Sequence, residues 1–186
     1  MYGYVKVGSA VPKLRVADCV YNKEEILKLV EAAAAKQVRV LAFPELSVTG
    51  YTCADLFFQA PLLHAAEQAI QEIAEATKAL NIFLLIGAPI AVDNQMFNCA
   101  VALYKGKLLG IVPKTHIPNY SEFYEERWFA SADDLLTEEI TYAGQNVPIG
   151  ADLIFAAADF PALKIGVEIC EDLWVPIPPS SYLSLY

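Results

Sequence analysis

Three residues able to do chemistry stand directly after apolar runs. In KIGVEICEDLW (164–174), Cys170 stands after a run in which Leu163, Ile165, Val167 and Ile169 alternate and read as a strand with one buried face. Glu45 follows VRVLAF and Pro44 in FPELSVTGY (43–51), and Lys114 sits near the start of VPKTHIPNYSEFYEERWF (112–129). A thiol, a carboxylate and an amine are what a cysteine hydrolase needs when no histidine serves as base. Taken alone, Cys170 is a poor nucleophile. Glu168, Glu171 and Asp172 surround it, and negative neighbours disfavour a thiolate. A base and a cation must therefore come from elsewhere, or Cys170 is an inert core residue. Each of the three has such a plain alternative: Glu45 a loop charge, Lys114 a solvated surface lysine, Cys170 core filler. Tyr51, Tyr120, Phe123, Tyr124 and Trp128 equally fit core aromatics. His116 is read as structural, and Cys19, Cys53 and Cys99 as bystanders.

The elements that must position these residues follow from hydrophobic period. Strands are expected over 2–8, 38–43, 82–88 and 153–158, and again in the run leading to Cys170. Residues 97–114 read as a hairpin turning at Lys105-Gly106. Asn22 with Glu25 predicts the start of a helix over 23–37, with Ile26, Val30, Ala33 and Ala34 as its buried stripe. A second helix, 61–80, carries Leu63, Ala66, Ile70, Ile73 and Ala74 on one face. Strand–helix–strand–helix order followed by hairpins gives an α/β layered domain with a mixed sheet. In such sheets functional residues gather beyond the carboxyl ends of strands, where Glu45, Lys114 and Cys170 all fall. Lys114, on a loop exit, is expected outside the core.

Composition narrows the partners. The 186 residues are 56% hydrophobic and 19% charged, with a mean hydropathy of +0.37. The longest apolar stretch, 82–92, is too short to cross a bilayer and contains Pro89. Sheets buried on both faces, a subunit interface, or both would absorb the surplus. The net charge of −9 and the lack of a Lys/Arg cluster argue against nucleic acid. Four dispersed cysteines without a C-x-x-C pair suit reduced thiols in a cytoplasm, and two histidines are too few for a His-rich metal centre.

FPELSVTGY, PKTHIPNYSEFYEERWF and GVEICEDLW, in this order, resemble the nitrilase or carbon–nitrogen hydrolase superfamily. More closely, PELSVTGYTCADLF, KTHIPNYSEFYEERWF and CEDLWVP look like the glutaminase domain of glutamine-dependent NAD synthetases. The resemblance implies a four-layer α-β-β-α sandwich over residues 1–186, with its later strands expected beyond residue 186. It implies Cys170 as nucleophile, Glu45 as general base and acid, Lys114 as oxyanion cation and Glu122 as a supporting glutamate. It further implies that Tyr51, Tyr120, Phe123 and Glu171 shape the glutamine pocket, Glu171 facing the α-amino group and offering its backbone N–H to the oxyanion. No metal or cofactor is expected here. ATP and Mg would serve a separate synthetase domain that amidates deamido-NAD, in a homo-oligomer. A stand-alone amidase or nitrilase is the alternative within the superfamily, and a non-catalytic α/β module is the alternative outside it. The latter lacks any G-x-G-x-x-G or Walker loop.

Overall fold

A computed structural model describes residues 3–186. Five strands form one mixed sheet in the order β1 (Val7–Ser9), β2 (Val40–Ala42), β3 (Phe83–Val92), β4 (Gln95–Tyr104), β5 (Lys107–Pro113). The pairs β1–β2 and β2–β3 are parallel, whereas β3–β4 and β4–β5 are antiparallel. The carboxyl ends of β2, β3 and β5 therefore share one edge with the start of β4. The expected first strand begins at Tyr2, outside the described residues, and the observed one starts only at Val7.

Helices α1 (Cys19–Ala35) and α2 (Ala60–Thr77) cover one face. Ile26, Val30 and Ala33 of α1 and Ala66, Ile70, Ile73 and Ala74 of α2 enter the main core, as the helical period requires. Leu63 and Ala34 are only half-buried. The N-cap of α1 is Asp18, whose carboxylate accepts from Tyr21 N–H, not Asn22. Asn22 is instead fully buried, and its amide binds the backbone of Arg15 and Val48.

The hairpins are partly legible in the sequence. β4 and β5 do turn at Lys105-Gly106, both at positive φ, the conformation a tight two-residue hairpin turn needs. The same geometry recurs at Asp93-Asn94, which joins β3 and β4 into a ten-residue ladder. It recurs at Ala143-Gly144 between β6 (Glu139–Tyr142) and β7 (Gln145–Pro148). Neither of these two turns is among those expected from the sequence.

The second face of the sheet is covered by β8 (Phe155–Ala156) and β9 (Lys164–Ile165), an antiparallel pair, and by the chain running on to Cys170. Val167 and Ile169 pack there against Ala100 and Val112, with Leu153, Phe155 and Ile165 around them. The alternate residues face away. A Cβ at Gly166 would lie 2.9 Å from Leu183 of the short helix α3 (Pro179–Leu183), and Ser180 N–H donates to Glu168. Helix, sheet, sheet and helix are thus stacked in the expected four-layer order. Both faces of β3 and β4 are buried, which accounts for much of the high apolar content.

Candidate active site

Glu45 is carried across the sheet edge by a turn that depends on Gly87. A Cβ at Gly87 would stand 2.2 Å from Leu46 N and 2.6 Å from the Pro44 carbonyl, so only glycine lets the 44–46 segment lie on β3. Val48 N–H donates to Gly87 O, and Leu46 adopts a positive φ of 51°. Lys114 is the first residue past β5, and its N–H donates to Asn98 O at 2.8 Å, which prolongs the β4–β5 ladder. Cys170 opens a short 3₁₀ turn (Cys170–Leu173) with φ of +50°, a left-handed conformation that costs a non-glycine residue energy. That turn lifts the thiol off the strand direction. Among the described residues it is the exposed cysteine, whereas Cys19, Cys53 and Cys99 are buried. The Cys53 thiol is engaged by the Thr49 and Gly50 carbonyls.

Lys114 joins the site from inside the core. Its side chain is fully buried, contrary to the expected loop position, because the antiparallel ladder carries it beneath the Glu45 turn. Nζ donates to Glu45 Oε1 at 2.7 Å and to Glu125 Oε1 and Oε2 at 3.1 and 2.9 Å. Burial opposes the charge, but the two carboxylates outweigh it and hold the ammonium above its ordinary lysine value.

The second glutamate paired with Lys114 is Glu125, not the expected Glu122. Glu122 is exposed on the loop, while Glu125 is 1% exposed and grips Lys114. The reason is local. Glu125 N–H donates to the Pro118 carbonyl, and Glu125–Arg127 coil into a 3₁₀ turn that points the Glu125 carboxylate inward. Asp55 braces this turn from outside through two bonds of 2.7 Å from Arg127 and one of 3.0 Å from Trp128 Nε1. Phe57 packs against Trp128 and Phe129 beneath it. The Tyr51 hydroxyl donates to Glu125 Oε1 at 2.6 Å, so Tyr51 supports the glutamate directly.

Two further buried polar residues are not singled out by the sequence. Asn98 Nδ2 donates to Glu45 Oε1 at 2.6 Å from within β4. Asp172, 1% exposed, accepts from His116 N–H at 2.7 Å, Thr115 N–H at 3.2 Å and Ile169 N–H at 3.0 Å. It ties the turn that carries Cys170 to the loop that follows Lys114. The only sequence signal for Asn98 is a polar residue inside the apolar run FNCAVAL, and Asp172 is one of three acids in EICEDLW with nothing to mark it as the buried one.

The Cys170 thiol is held above its ordinary value by burial and by the charge of Glu45, with Lys114 pulling the other way. The resting group is therefore a neutral thiol that needs a base as it attacks, not a stored thiolate. Outside it, Tyr120 and Glu171 border a cleft of about 980 Å³ shared with Phe58, Trp128, Thr115 and His116. The Tyr120 hydroxyl donates to both Glu171 oxygens at 3.0 and 2.9 Å, and the Tyr120 and Phe123 rings meet edge-on at 6.1 Å. Among the described residues, no group of three His, Cys, Asp or Glu side chains is placed to hold a metal ion, and no helix is long and apolar enough to cross a membrane.

The site therefore brings together an amine shared by two carboxylates and an exposed thiol on a strained turn. Residues 6–178 fit the sequence profile of the carbon-nitrogen hydrolases. The chain belongs to the carbon–nitrogen hydrolase family. A glutamine-dependent NAD(+) synthetase of Mycobacterium leprae is 38% identical over 183 residues, 98% of this chain and 27% of that protein. The Aquifex aeolicus protein of the same name is 31% identical over 161 residues, covering 87% of this chain and 24% of its own. This carbon–nitrogen hydrolase thus spans about a quarter of the length of these relatives. Among solved structures, a glutamine-dependent NAD(+) synthetase from Cytophaga hutchinsonii superposes with a TM-score of 0.81 at 30% identity, covering 90% of this chain and 28% of that one. An amidase from Nesterenkonia sp. AN1 gives 0.65 at 17% identity over 90% of this chain and 59% of its own, a likeness of fold alone.

Proposed function

We propose that this chain hydrolyses the side-chain amide of glutamine and supplies the ammonia to an NAD synthetase reaction. The observation that carries the reading is Lys114 Nζ, buried between Glu45 and Glu125 beside the Cys170 turn. Sγ attacks the carboxamide carbon while Glu45 takes the thiol proton. Lys114 and the Glu171 backbone N–H stabilise the oxyanion, which is commonly the greatest single source of rate acceleration in acyl transfer. Glu45 passes the proton to the departing nitrogen, ammonia leaves, and a γ-glutamyl thioester remains. Water activated by Glu45 then releases glutamate and restores the thiol. Glu125 does not react. It keeps Lys114 charged and aimed.

Free glutamine is favoured over simple amides by Glu171, whose carboxylate is steadied by Tyr120 at the cleft and suits an α-ammonium group. The names of the relatives, glutamine-dependent NAD(+) synthetases, support the link to an NAD synthetase reaction. To this the proposal adds that the ammonia is consumed in the ATP- and Mg-dependent amidation of deamido-NAD, by a synthetase domain within a cytoplasmic homo-oligomer. The test compares glutamine with acetamide and propionitrile. Hydrolysis of glutamine, lost in Cys170→Ala and with a raised KM in Glu171→Gln, is the expected result. Faster turnover of the simple amide or nitrile would make this a stand-alone amidase or nitrilase instead.

A further inference from the structure

Glu45 Oε1 accepts two short bonds at once, from Asn98 Nδ2 at 2.6 Å and from Lys114 Nζ at 2.7 Å. Asn98 is fully buried on β4, and its backbone carbonyl also receives the Lys114 N–H at 2.8 Å. One residue therefore fixes the carboxylate through its side chain and the lysine through its main chain. The amide's other end, Oδ1, is buried without a partner among the described residues. Turning the amide over would set Oδ1 against the carboxylate and leave Nδ2 unsatisfied, so its orientation is decided by Glu45. A buried amide with one end idle is poorly explained by packing alone.

We propose that Asn98 is a positioning residue for proton transfer, pinning Oε1 of Glu45 beside Lys114 so that Oε2 carries the proton between Cys170 and the departing nitrogen. The inference rests on the hydrolytic reading above. The proton balance is simple. The thiol hydrogen moves from Sγ to Oε2 and then to the amide NH₂, which leaves as ammonia as the S–C bond replaces the C–N bond. An acyl donor whose leaving group departs as an anion needs no such delivery.

The experiment therefore measures glutamine hydrolysis and Cys170-dependent hydrolysis of p-nitrophenyl acetate on the same preparation. The ratio of the two rates is insensitive to any fraction of unfolded protein. Asn98→Leu should lower kcat for glutamine by about 30- to 100-fold, up to the lower limit of the roughly 10²–10⁴-fold that general acid–base catalysis contributes, since Glu45 itself remains. KM should stay within about twofold, and the ester rate should fall at least about fivefold less than the amide rate. Asn98→Asp, which sets an anion against Glu45, should show the same amide-selective loss. Equal losses on both substrates would reduce Asn98 to a structural role and overturn the proposal, as would unchanged glutamine turnover. If Cys170→Ala keeps full glutamine hydrolysis, the hydrolytic reading itself fails, and that outcome is distinct from the other two.

Discussion

Lys114→Met removes the single cation from a site that holds two carboxylates. The side chain is 0% exposed, and its partners Glu45 and Glu125 are 15% and 1% exposed. Methionine is close in length, so little packing is lost and the charge change dominates. Breaking a buried ion pair by removing one partner costs about 3–5 kcal/mol, because the other charge stays buried without compensation. With a urea m-value of about 2 kcal/mol/M, the unfolding midpoint should fall by about 1.5–2.5 M. Glu125 bears most of this, since only the Tyr51 hydroxyl would remain to it. Lys114→Met/Glu125→Gln should then recover at least about half of the loss, because it removes the stranded anion. Neither variant should hydrolyse glutamine above about a hundredth of the native rate, the scale of losing an oxyanion donor. The pH dependence has a definite sign. A lysine held above its ordinary value of 10.5 contributes stability that is complete below that pH, and the contribution is lost as pH rises through the raised value. Urea titration at neutral pH with a coupled glutaminase assay decides the matter. A single variant destabilised by less than about 1 kcal/mol, or a double variant no more stable than the single, would refute the charge argument.

Glu125→Gln should lower kcat for glutamine at least about tenfold by weakening the hold on Lys114, while Glu122→Gln should stay within about twofold of native; steady-state kinetics showing the reverse would return the supporting role to Glu122. Iodoacetamide labelling of Cys170 should show a midpoint above that of an ordinary cysteine, lowered by Glu45→Gln, which removes a nearby negative charge, and raised further by Lys114→Met. A midpoint indifferent to Glu45 would separate the two groups. Gly87→Ala should cost about 1–3 kcal/mol by overpacking and depress glutamine hydrolysis, because the added Cβ must displace backbone 2.2 Å away. Thermal melting and kinetics on one sample would show an unaltered protein if the Glu45 turn can move aside freely.

What the sequence by itself determined was the layered α/β order and which polar residues follow its apolar runs. Glu45, Lys114 and Cys170 each follow an apolar run, but only Lys114 is the residue next after its strand; Glu45 and Cys170 are carried further by turns past β2 and β9. The helical stripes of α1 and α2 were legible because burial on one face imposes a period of 3.6, whatever the partner. The Lys105-Gly106 turn was legible because glycine accepts positive φ cheaply. Asp93-Asn94 gives a weaker signal because it lacks glycine, although Asp and Asn accept positive φ more readily than other side chains. Tertiary structure decided the rest. The resemblance implies Glu122, but along an aperiodic loop no hydrophobic period shows which glutamate turns inward, and the structure turns in Glu125. That inward turn is made by the Pro118 carbonyl, the Asp55 brace and the Phe57 packing, which leave no side-chain pattern around Glu125. Lys114 reads as a surface residue until two carboxylates, 69 and 11 positions away, offset the cost of burying its charge. Asn98 carries no signal beyond polarity inside an apolar run and Asp172 none that sets it apart from Glu168 and Glu171, because a buried polar group is defined by what meets it, and that is settled only when the strands pair and the loops close over them.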